Sequence, residues 1–227
     1  MNNNDLDQND LQIEELPVFP AAAPDVFGDR DAAIRLLDAT LEALASVVDV
    51  AESDLDLPTP CAGFNVRQLR NHAVGWLQFF AAAISDPDGT DARPDPDSFD
   101  LGGLVASALV RDAAADIAAA IRADVGDTLV VMSQARMQGS AVLAMALGEY
   151  LVHGWDLATA TGQEWNCPEG AAVPAREFLT TTVAPEYRGP DSGFFDEEVE
   201  PADGASAMDR LLCFTGRSPQ WTPATGH

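Results

Sequence analysis

Two of the three histidines in this 227-residue chain stand where a metal ion would use them. His153 follows Glu149 by four positions, so on a helix the imidazole and the carboxylate share one face, one turn apart. His72 falls in a separate helical stretch and would be the third ligand. Two imidazoles and one carboxylate with a vacant position make the donor set of a catalytic divalent-metal site rather than a closed structural one. Spacing alone leaves three explanations for an acid on this otherwise apolar face. They are a metal, a direct Glu149–His153 pair, or a position that is not fully buried. An unpartnered buried carboxylate would cost on the order of several kcal/mol. Asp156 lies seven residues after Glu149 on the same face. It would orient a ligand histidine or approach the open coordination position; the plainer alternative is a bond to a neighbouring Arg or Trp. Glu149 and Asp156 are thus the candidate catalytic groups.

The elements that must position these groups read as helices. Ile34, Leu37, Leu41, Leu44 and Val48 form one apolar stripe, which predicts a helix over about 31–50. A second helix opens with Asn65 and Gln68 at capping-box spacing and stops near Asp86-Pro87. Leu69, His72, Trp76 and Phe80 share one of its sides. Residues 86–100 form a polar loop, and an alanine-rich third helix spans about 101–124. The run 128–132 is a short strand or an extended connector; periodicity does not separate the two. The fourth helix, which carries Glu149, His153 and Asp156, starts after Gly139 or Ser140 and ends at Gly162, a natural C-cap. Shorter helices follow at 169–183 and 205–215, joined by an acidic connector over 186–204. The fold class is therefore all-α. Residues 1–28 read as a flexible tail with local packing through Leu16, Val18 and Phe19. Residues 29–165 read as the bundle and 166–227 as a short C-terminal extension.

Composition narrows the partners. The net charge is -25, and all twelve basic residues are arginine. Such a surface repels phosphate backbones and anionic lipid, so neither nucleic acid nor a membrane is expected as a partner. No apolar run is long enough to span a bilayer. Cys61, Cys167 and Cys213 form no C-x-x-C pair, and their odd number argues against a disulfide framework. A reducing cytoplasm is the expected location. Cys61 lies just ahead of the second helix, where amide groups can lower a thiol pKa; a structural turn beside Pro60 is the competing reading.

The segment Pro58-Thr59-Pro60-Cys61-Ala62-Gly63-Phe64-Asn65-Val66-Arg67-Gln68-Leu69-Arg70-Asn71-His72 resembles the opening of the mycothiol-dependent maleylpyruvate isomerase N-terminal family, within the DinB-like superfamily. The segment from Glu149 through His153, Gly154, Trp155 and Asp156 to Gly162 resembles that family's second motif. The run Met208-Asp209-Arg210-Leu211-Leu212-Cys213-Phe214-Thr215-Gly216-Arg217 is similar to the end of an uncharacterised metal-binding branch. Together these cover about 29–217. The resemblance implies an up-and-down four-helix bundle. It also implies one divalent metal held by His72, Glu149 and His153, with zinc first and nickel, iron or manganese as alternatives. Phe64 stands where the family usually has Trp.

What the resemblance implies about activity is thiol chemistry. Mycothiol or a similar small thiol would be activated at the metal and would attack an electrophilic substrate, in a transferase or isomerase reaction. Bundles of this superfamily often pair, which implies a homodimer. Two alternatives stay beside that reading: a hydrolase using metal-bound hydroxide, and a non-catalytic metal- or ligand-binding bundle. Only about sixty residues follow the bundle here, fewer than the C-terminal domain of the characterised isomerases, which favours the last.

Overall fold

A computed structural model describes residues 16–166, 168, 170–189 and 195–223. Its helices are α1 (Arg30–Val47), α2 (Val66–Ser85), α3 (Ala106–Arg122), α4 (Gly139–Thr161), α5 (Ala172–Thr182) and α6 (Ala207–Phe214), with a hairpin of β1 (Leu129–Met132) and β2 (Ala135–Gln138) between α3 and α4. The first four helices form the expected bundle. Neighbours around it run α1, α3, α2, α4, so consecutive α1 and α2 lie across a diagonal.

Side-chain bonds fix the helix directions. Arg30 pairs with Asp124, Arg111 with Glu42, and Ser107 N–H donates to Asp49 Oδ1, so α1 and α3 are antiparallel. Asn71 meets Asp100 and Leu101 while Gln78 meets Leu109, so α2 and α3 are parallel. Gln163, just past α4, donates to the Val47 carbonyl at the end of α1, so those two run together. The helices therefore run up, down, down, up, which departs from the alternating up-and-down order the resemblance implies. A parallel pair needs a return connection as long as the helix itself, about 30 Å for twenty residues. The 86–105 segment supplies it, lying along α2 closely enough that a Cβ on Gly75 would sit 2.8 Å from Phe99 Cβ.

Local chemistry explains most of the boundaries. Asn65 and Gln68 form the full reciprocal capping box at α2. Asp29 caps α1 by accepting from Ala32 N–H at 2.9 Å. Gly162 ends α4 in the left-handed conformation, at φ 67°. The third helix starts at residue 106 rather than 101. Gly102 takes a positive φ in a turn closed by Leu104 N–H to the Leu101 carbonyl, and Val105 has no side chain able to cap. The 128–132 run is a strand: β1 pairs antiparallel with β2, Val130 opposite Met137.

Of the expected tail, residues 1–15 lie outside the described residues. Within 16–28, Phe27 is buried, and Phe19 N–H donates to the Arg136 carbonyl of β2. The core sits between α1, α2, α3 and α4. Helix α4 is buried almost all round, because α5 covers its outer side and α6 packs on α5. An ionisable group on α4 is thus surrounded by protein unless it faces the α2–α4 seam.

Candidate metal centre

Helices α2 and α4 bring the three expected ligands together at that seam. His72 Nε2 is 3.2 Å from Glu149 Oε1, and His153 Nε2 is 3.1 Å from the same oxygen. The imidazole rings meet edge to face with centroids 5.2 Å apart. All three donor atoms lie within 4.8 Å of one another. Zinc bonds of about 2.0–2.1 Å at a tetrahedral angle would put ligand atoms about 3.3 Å apart. The two nitrogen–oxygen separations match that spacing, so the donor set fits one such ion in both chemistry and reach.

The three groups differ in exposure. The side chains of His72 and Glu149 are 27% and 28% exposed, whereas His153 is 9% exposed. An approach therefore exists on the His72 and Glu149 side. Phe64 and Trp76 flank His72 there, with ring centroids 5.2 and 6.3 Å from the imidazole. Trp155 is half-buried. Behind the cluster, Tyr150 is fully buried against Phe80, and its hydroxyl has no partner among the described residues.

Charge in the cluster is mutually dependent. Burial would raise the Glu149 pKa, but the two histidines outweigh it and hold the carboxyl well below its usual range. Burial would likewise depress His153. Glu149 at one ring nitrogen and Asp156 at the other reverse the sign and raise it to about 9. Without a metal, two flanking carboxylates favour the charged form of His153.

Asp156 is deeper than Glu149 and does not reach the opening. Its side chain is 0% exposed, and Oδ2 accepts from His153 Nδ1 at 3.1 Å. Of the readings offered for it, approach to the open position is not met, while the orienting bond to a histidine and the plainer bond to a neighbouring arginine both are. The same oxygen accepts from Arg217 Nη2 at 3.2 Å. Cys61 also lies against Arg217, with Sγ 3.0 Å from Nη2. Burial pushes its thiol up to about 12, with Arg217 only partly opposing. Burial and the Arg217 contact favour the structural reading of Cys61 over an activated thiol. Cys213 is an unbridged buried thiol; Cys167 and His227 lie outside the described residues.

Three contributors were not legible from spacing. Arg217 sits inside the closing motif but carries no periodic signal that would place it here. Thr59 is buried and donates to the Phe64 and Cys61 carbonyls, shaping the segment that enters α2. Trp165 lies over Gly154, where a Cβ would collide with the indole, so the residue after His153 must be glycine to admit it. Arg67 is exposed, and Arg70 is half-buried.

A bundle of this topology with a His/Glu/His cluster on two of its helices defines a class, and comparison with known proteins names it. The chain belongs to the mycothiol maleylpyruvate isomerase N-terminal domain family, whose model matches residues 34–158. It is also similar to two Mycobacterium tuberculosis proteins, uncharacterized protein Rv0738 of strain H37Rv and uncharacterized protein MT0763 of strain CDC 1551. Each is 31% identical over 176 residues, 77% of this chain and 91% of the relative. No solved structure matches the chain. Among the described residues, no helix is long and apolar enough to cross a membrane.

Proposed function

We propose that this protein holds one divalent metal ion, zinc first, through His72, Glu149 and His153, and uses it for thiol-dependent transfer or isomerisation with mycothiol or a similar small thiol. The observation that carries this reading is the convergence of two imidazole nitrogens from different helices on one carboxylate oxygen. A bound zinc would supply Lewis acidity that holds a coordinating sulfur as thiolate. The chain's own residues do the rest. Asp156 accepts the Nδ1 proton of His153, which leaves the Nε2 lone pair free for the ion. Glu149 supplies the negative charge, which the two imidazoles beside it favour. A cation held by His72, Glu149 and His153 would take the place of the direct contacts Glu149 makes with both rings. Phe64 and Trp76 wall the approach with apolar surface, which excludes water and suits an electrophile with apolar character. The family's connection to mycothiol supports the thiol as co-substrate.

The first test is elemental analysis of protein purified without added metal, on the wild type and on His72→Ala. The expected result is about one ion per chain in the wild type and background in the variant. Metal-loaded protein is then assayed with small thiols against a bimane electrophile. Turnover above buffer that requires both thiol and metal supports the proposal. Ester or amide hydrolysis without thiol would replace it with hydroxide chemistry, and full metal loading with no turnover on either panel would replace it with a binding role.

A further inference from the structure

Arg217 is the least expected participant in this region. It follows α6, 61 residues after Asp156. Gly216 just before it takes a φ of 84°, and a Cβ there would press into Asp196. Arg217 N–H returns to the Leu212 carbonyl at 2.8 Å, closing the end of α6. This turn aims the side chain into the protein, where only 5% of it is exposed.

The guanidinium has three partners. Nη1 donates to the Thr215 carbonyl at 2.7 Å, while Nη2 donates to Asp156 Oδ2 and to Cys61 Sγ. Asp156 is on α4, and the oxygen that accepts from Arg217 is the one that accepts from His153. Cys61 stands four residues before the cap of α2, in a segment stiffened by Thr59 and by the pairing of Pro58 with Asn65. That cap is two turns from His72. One planar group therefore touches the supports of both ligand-bearing helices.

We infer that Arg217 is a positioning residue of the metal centre, a clamp from the C-terminal segment that sets the spacing of His72 and His153 around Glu149. The inference rests on the metal-binding reading above. A buried ion pair is a poor source of stability compared with well-packed apolar side chains, so what Arg217 contributes is geometry. It also settles a competing possibility. Cys61, His153 and Asp156 offer a second trio of donor atoms within 4.8 Å. The guanidinium already lies against two of them, and its charge repels a cation. Arg217 thus confines the ion to the His72 side.

The test compares full-length wild type, Arg217→Met, Arg217→Lys, Cys61→Ala and Val110→Ala. Zinc affinity is read by chelator competition, ligand geometry by the visible absorption of the cobalt(II) form, and stability by the melting temperature. Arg217→Met is expected to bind zinc about 10–100-fold more weakly, the range for losing a partner of a ligand, with a changed cobalt spectrum. Arg217→Lys keeps the charge but loses the planar fork, and recovers part of that loss. Val110→Ala, at a fully buried site on α3, lowers the melting temperature and leaves zinc affinity unchanged.

Wild-type affinity and spectrum in Arg217→Met overturn the clamp, as does an equal affinity loss in Val110→Ala. Where Arg217→Met does not fold, wild-type affinity in both Arg217→Lys and Cys61→Ala overturns it. A wild type that binds neither zinc nor cobalt removes the metal reading and the clamp with it. Tight wild-type binding matched by Arg217→Met removes the clamp alone.

Discussion

The two antiparallel seams of the bundle place their charges in opposite ways. On α1 and α3 the buried side chains are mostly aliphatic, with Leu37, Leu41, Leu44, Val110 and Ile117 essentially inaccessible and only the uncharged Thr40 and Ser107 polar among them. Charge there is confined to the rim, where Arg111 forks onto Glu42 with both side chains more than half exposed. Between α2 and α4 the seam carries two histidines, two carboxylates and a guanidinium inside or half inside. An arginine–carboxylate pair occurs in both places, and its setting decides its meaning. At the rim it is screened and adds little. Inside, each charge depends on the other, because either alone would be stranded. One seam is built to hold; the other gives up close apolar packing to hold ionisable groups at fixed separations.

That contrast can be broken by experiment. The largest effect is expected from Asp156→Asn, which strands Arg217 and releases His153. It should cost about 3–5 kcal/mol of stability in chemical denaturation, and a loss below about 1 kcal/mol would mean the interior pair is not coupled. A second effect follows from pH. The folded pKa of His153 in metal-free protein, about 9, lies above its ordinary value of 6.5. Its contribution is complete below pH 6.5 and fades as pH rises through 9. Zinc requires the deprotonated ring, so stabilisation by zinc should grow over the same interval. The gap in melting temperature between zinc-loaded and metal-free protein should therefore widen from pH 6.5 to 9, and a constant gap would exclude His153 as a ligand. The smallest effect belongs to the other seam. Arg111→Ala should move the melting temperature by no more than about 2 °C with zinc affinity unchanged, and a larger shift would erase the distinction.

Legibility in the sequence followed the range of the interactions. Glu149 and His153 were readable because i,i+4 spacing fixes their relation within one helix. His72 was readable through its own capped helix start, Asn65 and Gln68. The start of α3 was misplaced by five residues, since the Gly102 turn and the lack of a capping side chain at Val105 are local features that an alanine-rich pattern hides. The second strand, Ala135–Gln138, alternates apolar and polar residues over only four positions, too short a run to read as a strand without β1 paired beside it. Helix directions were not legible either, and the alternating order implied by the resemblance is not the one found. The up-down-down-up order depends on how the 86–105 segment runs back along α2, which no periodicity encodes. Arg217 was hidden most completely, because its placement needs the Gly216 turn, the end of α6 and two distant segments at once.

The ligand helices are not neighbours in the chain: His72 and Glu149 are 77 residues apart. A shared ion would tie that span into a ring. A denatured polypeptide would have to close the same ring unaided, at about 4–5 kcal/mol of chain entropy. Only the short Glu149/His153 chelate survives denaturation without that penalty. The folded bundle has closed the ring before any ion arrives, so an ion at this seam would discriminate native from denatured polypeptide chiefly through connectivity.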